Sequence, residues 1–290
     1  MPALSLILAT VGRTTDLDRC LDALAAQTSK DFEVLVIDQN RDARLLPHVA
    51  RAQAAGLDVR HHRMDRASLS GARNLGLTEA RGLYVAFPDD DCWYEPDTVE
   101  QVLSAFAASP ELGGLSINWV EQSAALGEAT SGSELNLAAW RAYRGGEASS
   151  ISLFLRAELA RQLQGFDERL GVGQWFGAAE EIDLVLRALG TGARVARLRE
   201  ARVHHAYGRQ AAIPARRLWV SSLARARGTG AVYAKHRLSA WVVARGLVAP
   251  VLKAVLRLNW QACVVGLATS LGRLQGMRAW RRAERKHHLG

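Results

Sequence analysis

The sequence has few cysteines and no long hydrophobic run. Cys20, Cys92 and Cys263 are far apart and form no CxxC pair, which argues against a disulfide framework or a zinc cluster and favours a reducing compartment. The longest late stretch without a charge spans residues 258–272, whereas a membrane-spanning helix needs about 20 mostly apolar residues. The chain opens on an apolar segment without the basic residues of a secretory signal. We therefore expect a cytoplasmic protein.

Common nucleotide and hydrolase motifs are also missing. The chain contains neither a GxxxxGK[ST] phosphate loop nor a GxSxG motif, which excludes a P-loop and gives no support to a serine nucleophile. Residues 71–76 contain no complete GxGxxG and do not open the first helix, so a dinucleotide-binding site is poorly supported. Hydrophobic residues (49%) and charged residues (23%) occur in ordinary globular proportions, which permits a sizeable core.

Acidic residues are nearly absent from the last part of the chain. Residues 206–290 carry 16 Lys and Arg and one acid, Glu284, whereas residues 1–205 have a net charge of −7. Apolar and basic residues interleave in residues 241–257, which predicts helices in a membrane interface with Trp and basic side chains at the headgroups. Two alternatives stay open. One is a helical subdomain packed on the rest of the protein or on another subunit; the other is nucleic-acid binding, which the high apolar content disfavours.

The first ninety residues alternate between strand-like and helix-like periods. Apolar runs at 3–9, 32–37, 57–61 and 83–87 predict strands, and apolar residues at helical spacing lie between them. This order predicts a mostly parallel α/β sheet, whose ligands bind beyond the carboxyl ends of the strands. Later patterns predict further strands at 115–120, 151–155, 194–199 and 201–205, helices at 99–107, 158–163 and 180–189, and loops at 123–146 and 165–179.

The run Asp89, Asp90 and Asp91 follows the fourth predicted strand. Three consecutive carboxylates repel one another, and a folded protein keeps them together most readily around a cation or in a hydrogen-bond network. Carboxylates suit Mg²⁺ or Mn²⁺, which commonly bridge to substrate phosphates. A solvated acidic turn is the alternative. The pair His204 and His205 follows another predicted strand and could supply one more metal ligand.

A second acidic group, formed by Glu180, Glu181 and Asp183, opens a predicted helix. Acids stabilise a helix N-terminus through the helix dipole, so simple capping is an alternative to a functional role. The preceding Gly-rich loop carries Trp175, and an aromatic platform beside paired acids is typical of a sugar site with a general base. Glu180 and Glu181 point about 100° apart on a helix, so they cannot have the same role.

Several short segments of the chain, taken in their order along it, resemble family 2 nucleotide-diphosphosugar glycosyltransferases with the GT-A fold. Each segment alone is weak evidence for the family, whereas all of them in this order are a highly specific match. The resemblance covers residues 3–206 and is carried by residues 5–10 with Arg13, and by residues 27–28, 32–38, 72–76, 87–91, 165–168 and 180–184.

The resemblance also implies an organisation of the chain. A GT-A catalytic domain, with a Rossmann-like, mostly parallel sheet flanked by helices, would occupy residues 1–212. Its nucleotide-sugar half would end near residue 120, and its acceptor half would cover about 121–212. The composition of the remaining residues, and not the resemblance, predicts a basic amphipathic helical extension at 213–290 that contacts the inner face of the cell membrane.

The resemblance implies a nucleotide-sugar site. Asp38 would bind the nucleoside at its base or ribose, and Thr10 and Arg13 would line the same pocket. Arg73 would lie near the nucleotide and its phosphates. Asp90 belongs to the same acidic run and is included among the nucleotide-sugar contacts.

The resemblance likewise implies a metal site, in which Asp89 and Asp91 match the DxD pair of the family. Asp91 would ligate Mg²⁺ or Mn²⁺, and Asp89 would contact the ribose, the metal or its water shell. His205 matches a family histidine near the metal slightly better than His204 does.

The resemblance also implies catalytic and acceptor residues in and near the second acidic group. Glu181 falls where the family usually has an Asp, the catalytic base, and this extra methylene leaves the choice between Glu180 and Glu181 open. Trp175 would stack on a sugar ring, and Asp183 would contact the acceptor.

The implied reaction is a single inverting displacement. The metal would neutralise the leaving diphosphate, and the base would take the proton of an acceptor hydroxyl. Such a hexosyltransferase would act on a glycan or lipid-linked acceptor in cell-surface polysaccharide or glycoconjugate assembly. A nucleotidyltransferase that releases pyrophosphate and a non-catalytic scaffold that binds sugar nucleotides are the alternatives.

Overall fold

Strands and helices alternate along the first two thirds of the chain in this computed structural model. The structure describes residues 1–123, 130–145, 148–205, 214–256 and 259–287. Within these ranges the strands are β1 (Leu4–Thr10), β2 (Phe32–Asp38), β3 (Val59–Arg63), β4 (Tyr84–Ala86), β5 (Cys92–Tyr94), β6 (Gly114–Trp119), β7 (Leu153–Arg156) and β8 (Val195–His205). The strands form one sheet in the order β3-β2-β1-β4-β7-β6-β8-β5.

The first four strands of the sheet order are parallel, as the alternation predicted. Strands β3, β2, β1 and β4 all run in one direction. By contrast, β7 runs antiparallel to both β4 and β6, and the short strand β5, which the sequence did not indicate, runs antiparallel to β8. The predicted strands at 194–199 and 201–205 are one strand. The pairing of β6 with β8 shifts between Ile117 and Asn118, and this bulge explains the interrupted pattern.

Helices cover both faces of the sheet. They are α1 (Thr15–Ala25), α2 (Leu46–Ala54), α3 (Leu69–Glu79), α4 (Thr98–Ala108), α5 (Val120–Ser123), α6 (Leu137–Arg141), α7 (Ala157–Gln162) and α8 (Glu180–Gly190), with a 3₁₀ turn at Ser150–Ser152. Successive strand residues point to opposite faces. Accordingly, Leu6 and Leu8 pack in the core with α1, whereas Ile7 packs on the other side with α3 and α8.

Three long helices follow: α9 (Ala215–Lys235), α10 (Ala240–Leu256) and α11 (Trp260–His287). Helices α9 and α11 pack closely through glycines. A Cβ added to Gly230 would lie 2.0 Å from the Arg273 carbonyl oxygen, and one added to Gly276 would lie 2.0 Å from the Arg227 carbonyl oxygen. Trp280 of α11 is 1% exposed and belongs to the same apolar core as Ile7 and Leu184.

The basic helices therefore pack on the preceding domain, which was one of the two alternatives to a membrane-interface role. The predicted domain boundary between residues 212 and 213 lies outside the described residues. So does Arg257, the last residue of the basic and apolar segment 241–257. Among the described helices, none is both long enough and apolar enough to cross a membrane.

Candidate functional site

A cleft of about 470 Å³ lies beyond the carboxyl ends of the parallel strands. Such ends form the ligand edge of an open α/β sheet because the connecting loops diverge there. The lining of the cleft includes Arg13, Asp89, Asp90, Asp91, His205 and Arg225.

Asp90 anchors one wall of this cleft. Its carboxylate accepts a hydrogen bond of 2.6 Å from the Thr10 hydroxyl and another from the Arg13 guanidinium. Arg13 also contacts Asp91 at 2.7 Å. Burial raises the pKa of Asp90, and the bonds from Thr10 and Arg13 offset part of that shift. The sequence-predicted residues Thr10, Arg13 and Asp90 thus form one connected group.

The predicted metal ligands come together at the same edge. One ligand atom each from Asp89, Asp91 and His205 lies within 4.8 Å of the others, and Nε2 of His205 lies 3.2 Å from Asp91. Burial alone would raise the pKa of Asp91, but the bond from His205 and the charges of His205 and Arg13 outweigh it and hold that pKa below its ordinary value. The bond to Asp91 raises the pKa of His205, against the effect of burial.

The donor atoms suit a divalent cation. Ligand atoms that share one Mg²⁺ or Mn²⁺ lie at most about 4.4 Å apart, because each bond is about 2.1–2.2 Å long. A small rotation of the three side chains would bring them into that range. The two carboxylates suit Mg²⁺ or Mn²⁺.

His204 lies in a different environment. Its ring stacks on Trp93 with the centroids 5.3 Å apart, and its two nitrogens lie 3.1 Å from Glu95 and Glu121. The structure therefore groups His205, and not His204, with Asp89 and Asp91.

Arg73 connects the two acidic groups. It is 1% exposed, and its guanidinium donates to Asp89 at 2.9 Å, to Glu180 at 3.1 Å and to the Ser150 hydroxyl at 2.9 Å. Because one rigid cation bonds both carboxylates, the start of α8 is held at a fixed distance from the cleft.

Asp38 is buried at the end of β2. It is 1% exposed, and its oxygens accept bonds from the backbone and side chain of Asn40 and contact Nε2 of His61 at 3.0 Å. Asn40 in turn accepts from the Gly12 amide at 2.7 Å. In this structure Asp38 orders the loops after β1 and β2, and its neighbour Gln39 lines the cleft.

Glu180 and Glu181 face different surroundings, as their helical spacing predicted. Glu180 is 5% exposed and paired with Arg73. Glu181 instead lines a cavity of about 210 Å³. Burial, followed by the negative charge of Glu180, raises the pKa of Glu181 from 4.5 to about 8. The Arg73 guanidinium occupies Glu180, so Glu181 is the carboxylate of this pair that lines a cavity.

Aromatic side chains surround Glu181 in this cavity. Its lining includes Trp119, Trp140, Tyr143 and Ser149. The indole nitrogen of Trp140 and the hydroxyl of Tyr143 are buried without a hydrogen-bond partner among the described residues. Aromatic faces with polar tips are the usual surroundings of a sugar ring. The sequence indicated neither residue as part of a site, since both lie in segments without a regular period.

Two residues expected at the acceptor do not line the Glu181 cavity. Trp175 is 48% exposed, and the Arg227 guanidinium lies 4.5 Å from its ring centroid. Asp183 is fully buried and bonds Arg187, Lys235 and His236, each at 2.8 Å. Asp183 therefore ties α8 to α9 and does not face the cavity, because those three partners occupy its carboxylate.

The backbone before Glu180 is unusual. Ala179 has a φ of +74°, a left-handed conformation that costs a non-glycine residue of the order of 1–3 kcal/mol. Helix α9 supports this turn. The Gly177 amide donates to the Ala224 carbonyl at 3.1 Å, and a Cβ on Gly228 would lie 1.9 Å from the Ala178 carbonyl oxygen. Close packing of α9 thus fixes the turn that presents Glu181.

The basic helices also supply a cation that the sequence did not indicate. Arg225 of α9 lines the donor-side cleft, and it lines a second cavity of about 320 Å³ that contains Glu181. The only sequence signal was the general excess of positive charge after residue 206, which does not single out one arginine.

Solved structures share this architecture. The mannosyltransferase PcManGT from Pyrobaculum calidifontis, solved with GDP-Man and Mn²⁺, has a TM-score of 0.67 at 15% identity, covering 98% of this chain and 88% of that one. S. aureus TarS residues 1–349, solved with UDP-GlcNAc, has a TM-score of 0.59 at 16% identity, covering 98% and 92%. These likenesses confirm the predicted GT-A fold.

Sequence comparison relates the first part of the chain to known proteins. Residues 5–122 match the family model for glycosyl transferase family 2. EpsH of Bacillus subtilis is 36% identical over 105 residues, which are 35% of this chain and 30% of that protein. A Mycobacterium bovis PGL/p-HBAD biosynthesis glycosyltransferase is 34% identical over 113 residues, which are 38% and 43% of the two chains.

The chain thus has the GT-A fold. Residues 5–122 match the model of glycosyl transferase family 2, which confirms the resemblance seen in the motifs. The chain spans less than half the length of these curated relatives, from 30% to 43%.

Proposed function

We propose that the protein transfers a sugar from a nucleoside-diphosphate donor to a hydroxyl of a glycan or lipid-linked acceptor. The observation that carries the proposal is the Arg73 bridge, which joins the cleft carboxylate Asp89 to Glu180, the neighbour of Glu181. This bridge holds the proposed metal ligands next to the proposed proton acceptor. A transfer between two substrates requires the two sites to be adjacent in this way. The nucleotide sugars bound by the two structural neighbours support a donor of this class.

Asp89, Asp91 and His205 would hold Mg²⁺ or Mn²⁺. When bound, this ion would neutralise the negative charge of the diphosphate leaving group. Arg13 and Arg225 line the same cleft and would add positive charge around the phosphates. The Mn²⁺ in the structure of PcManGT supports the use of a divalent cation.

Glu181 is the proposed base of a direct displacement. The acceptor oxygen forms a bond to the anomeric carbon while the bond from that carbon to the diphosphate oxygen breaks, so the configuration inverts. The proton of the acceptor hydroxyl passes to the Glu181 carboxylate. The aromatic rings of Trp119, Trp140 and Tyr143 would hold the acceptor sugar against this carboxylate.

The test begins with nucleotide selectivity. The melting temperature of the full chain is measured with UDP, GDP, dTDP or CDP, each with and without Mn²⁺, because a ligand of the folded state raises it. We expect one nucleotide to stabilise the protein selectively and in a metal-dependent manner. The matching nucleotide sugar is then supplied with a saccharide acceptor, and the released product is identified.

Release of nucleoside diphosphate together with an inverted glycoside supports the proposal. Release of pyrophosphate would instead identify a nucleotidyltransferase. Stabilisation by nucleotides without any turnover on a panel of saccharide and lipid-linked acceptors would favour a scaffold that binds sugar nucleotides.

A further inference from the structure

The hairpin of α10 and α11 exposes apolar side chains to solvent. On α10, Trp241, Val248, Leu252 and Val255 are each 54–70% exposed. Their spacing of i, i+7, i+11 and i+14 places them on one face of the helix, because 3.6 residues make one turn. Isolated exposed apolar residues are common on proteins, but a continuous stripe of them marks an interaction surface.

The apolar stripe continues to the tip of the hairpin. Leu256 ends α10 and Trp260 begins α11, and each is 73% exposed. We call Val248, Leu252, Val255, Leu256 and Trp260 the tip surface. A Trp beside aliphatic side chains at the end of a helical hairpin is the composition that favours the headgroup region of a bilayer.

Positive charge borders the tip surface. Lys253 is exposed on α10, and Arg216 and Arg217 are exposed at the start of α9. The start of α9 lies next to the tip, because Leu218 lines one cavity together with Lys253. Residues 206–290 carry a single acid against 16 basic residues, so an anionic surface is the complementary partner.

We propose that the tip surface docks on a lipid bilayer that contains anionic headgroups. The apolar side chains enter the interface, and the flanking Lys and Arg contact the headgroup phosphates. Docking of this kind would hold the protein at the face of a membrane. It does not depend on the proposed transfer reaction, so either proposal can fail without the other.

Helix α9 extends from the tip surface to the cleft at the carboxyl ends of the parallel strands, which is the proposed donor cleft. Leu218 lines the cavity at the tip, and Arg225 lines the cleft. Arg225 lies seven residues after Leu218, which corresponds to a rise of about 10 Å along the helix. Docking therefore brings the cleft close to the headgroups, within reach of an acceptor whose lipid part remains in the bilayer.

Vesicle flotation of the full chain tests this proposal. The protein is mixed with vesicles of phosphatidylcholine alone or of phosphatidylcholine with phosphatidylglycerol, and the floating fraction is measured. The test variant is L252E/L256E. Its matched control, L46E/L83E, makes the same change at two leucines outside the tip surface that are 52% and 69% exposed.

We expect the wild type to float with phosphatidylglycerol-containing vesicles and much less with phosphatidylcholine alone. L252E/L256E should bind at least about tenfold more weakly, because two apolar side chains become charged, whereas L46E/L83E should bind like the wild type. Melting curves with the stabilising nucleotide, recorded without vesicles, should be the same for all three proteins. They show that folding and the donor cleft are intact.

Three results would overturn the proposal. The wild type could fail to float with either vesicle, or the two double variants could float equally. Alternatively, L252E/L256E could lose self-association in size-exclusion chromatography with no change in flotation, in which case a second copy of the chain covers the tip surface.

Discussion

The cleft at the strand ends, which is the proposed donor cleft, and the Glu181 cavity surround their carboxylates with different neighbours. In the cleft, Arg13 pairs with Asp90 and Asp91, and Arg73 pairs with Asp89. In the cavity, Glu181 lies among aromatic rings and beside the negative charge of Glu180, and its pKa is raised to about 8. The cleft therefore pairs its carboxylates with cationic side chains, whereas the cavity increases the affinity of one carboxylate for a proton.

The two regions also differ in how they are built. The cleft is assembled from the ends of neighbouring parallel strands. The cavity is formed by α6, the end of β6 and the start of α8, and α9 supports it from behind. Substitutions in each region should therefore affect different measurements.

The largest expected effect is on turnover in E181Q. Loss of a general base lowers the rate about 10²–10⁴-fold. Nucleotide-dependent stabilisation should persist, because Glu181 does not line the donor cleft. The control is E158Q, which makes the same change at an exposed site on α7. Equal turnover in E181Q and the wild type would refute the assignment of the base.

The next largest effect is expected on metal-dependent nucleotide binding in the donor cleft. D91N removes one charged ligand of the proposed cation, so the Mn²⁺-dependent part of nucleotide stabilisation should fall by about tenfold or more in apparent affinity. D97N makes the same change at an exposed aspartate and should retain the wild-type response. Titration of Mn²⁺ at fixed nucleotide measures both variants. An unchanged Mn²⁺ dependence in D91N would contradict the metal-ligand role.

The sequence predicted the cleft better than the cavity, for a physical reason. The run Asp89–Asp91 directly follows an apolar strand, and parallel strands bring their carboxyl ends to one edge. Short-range patterns therefore sufficed for the acidic wall of the cleft, although not for Arg225. Trp119 and Trp140 meet Glu181 only through tertiary packing, which a local period does not encode.

Two contacts of the fold join residues that are far apart in the chain. Asp183 was expected to contact the acceptor, and its carboxylate is bonded by Lys235 and His236, which lie more than 50 residues later in the chain. The excess of positive charge after residue 206 indicated an anionic partner and did not reveal that α9 packs on the domain. Long-range partners of this kind become visible only in the fold.

A third prediction tests the support that α9 gives to the cavity. In G228A, the new Cβ would collide with the Ala178 carbonyl, and overpacking of this kind costs about 1–3 kcal/mol. G190A is the matched control, since its Cβ meets open space on α8. We expect G228A, but not G190A, to melt at a lower temperature and to lose turnover more than nucleotide binding. Wild-type stability and turnover in G228A would show that the contact is dispensable.

The smallest expected effect is on the pH dependence of stability. The pKa of Glu181 is raised from 4.5 to about 8 in the folded protein, so the folded state binds more protons than the unfolded state between these values. The free energy of unfolding should therefore fall as the pH rises through this window, by at most a few kcal/mol. E181Q lacks this ionisation. Relative to the wild type, its gain in free energy of unfolding should therefore be absent below pH 4.5 and complete above pH 8. Denaturant unfolding of both proteins from pH 4 to 9 measures the difference, and parallel curves would show that burial does not perturb Glu181.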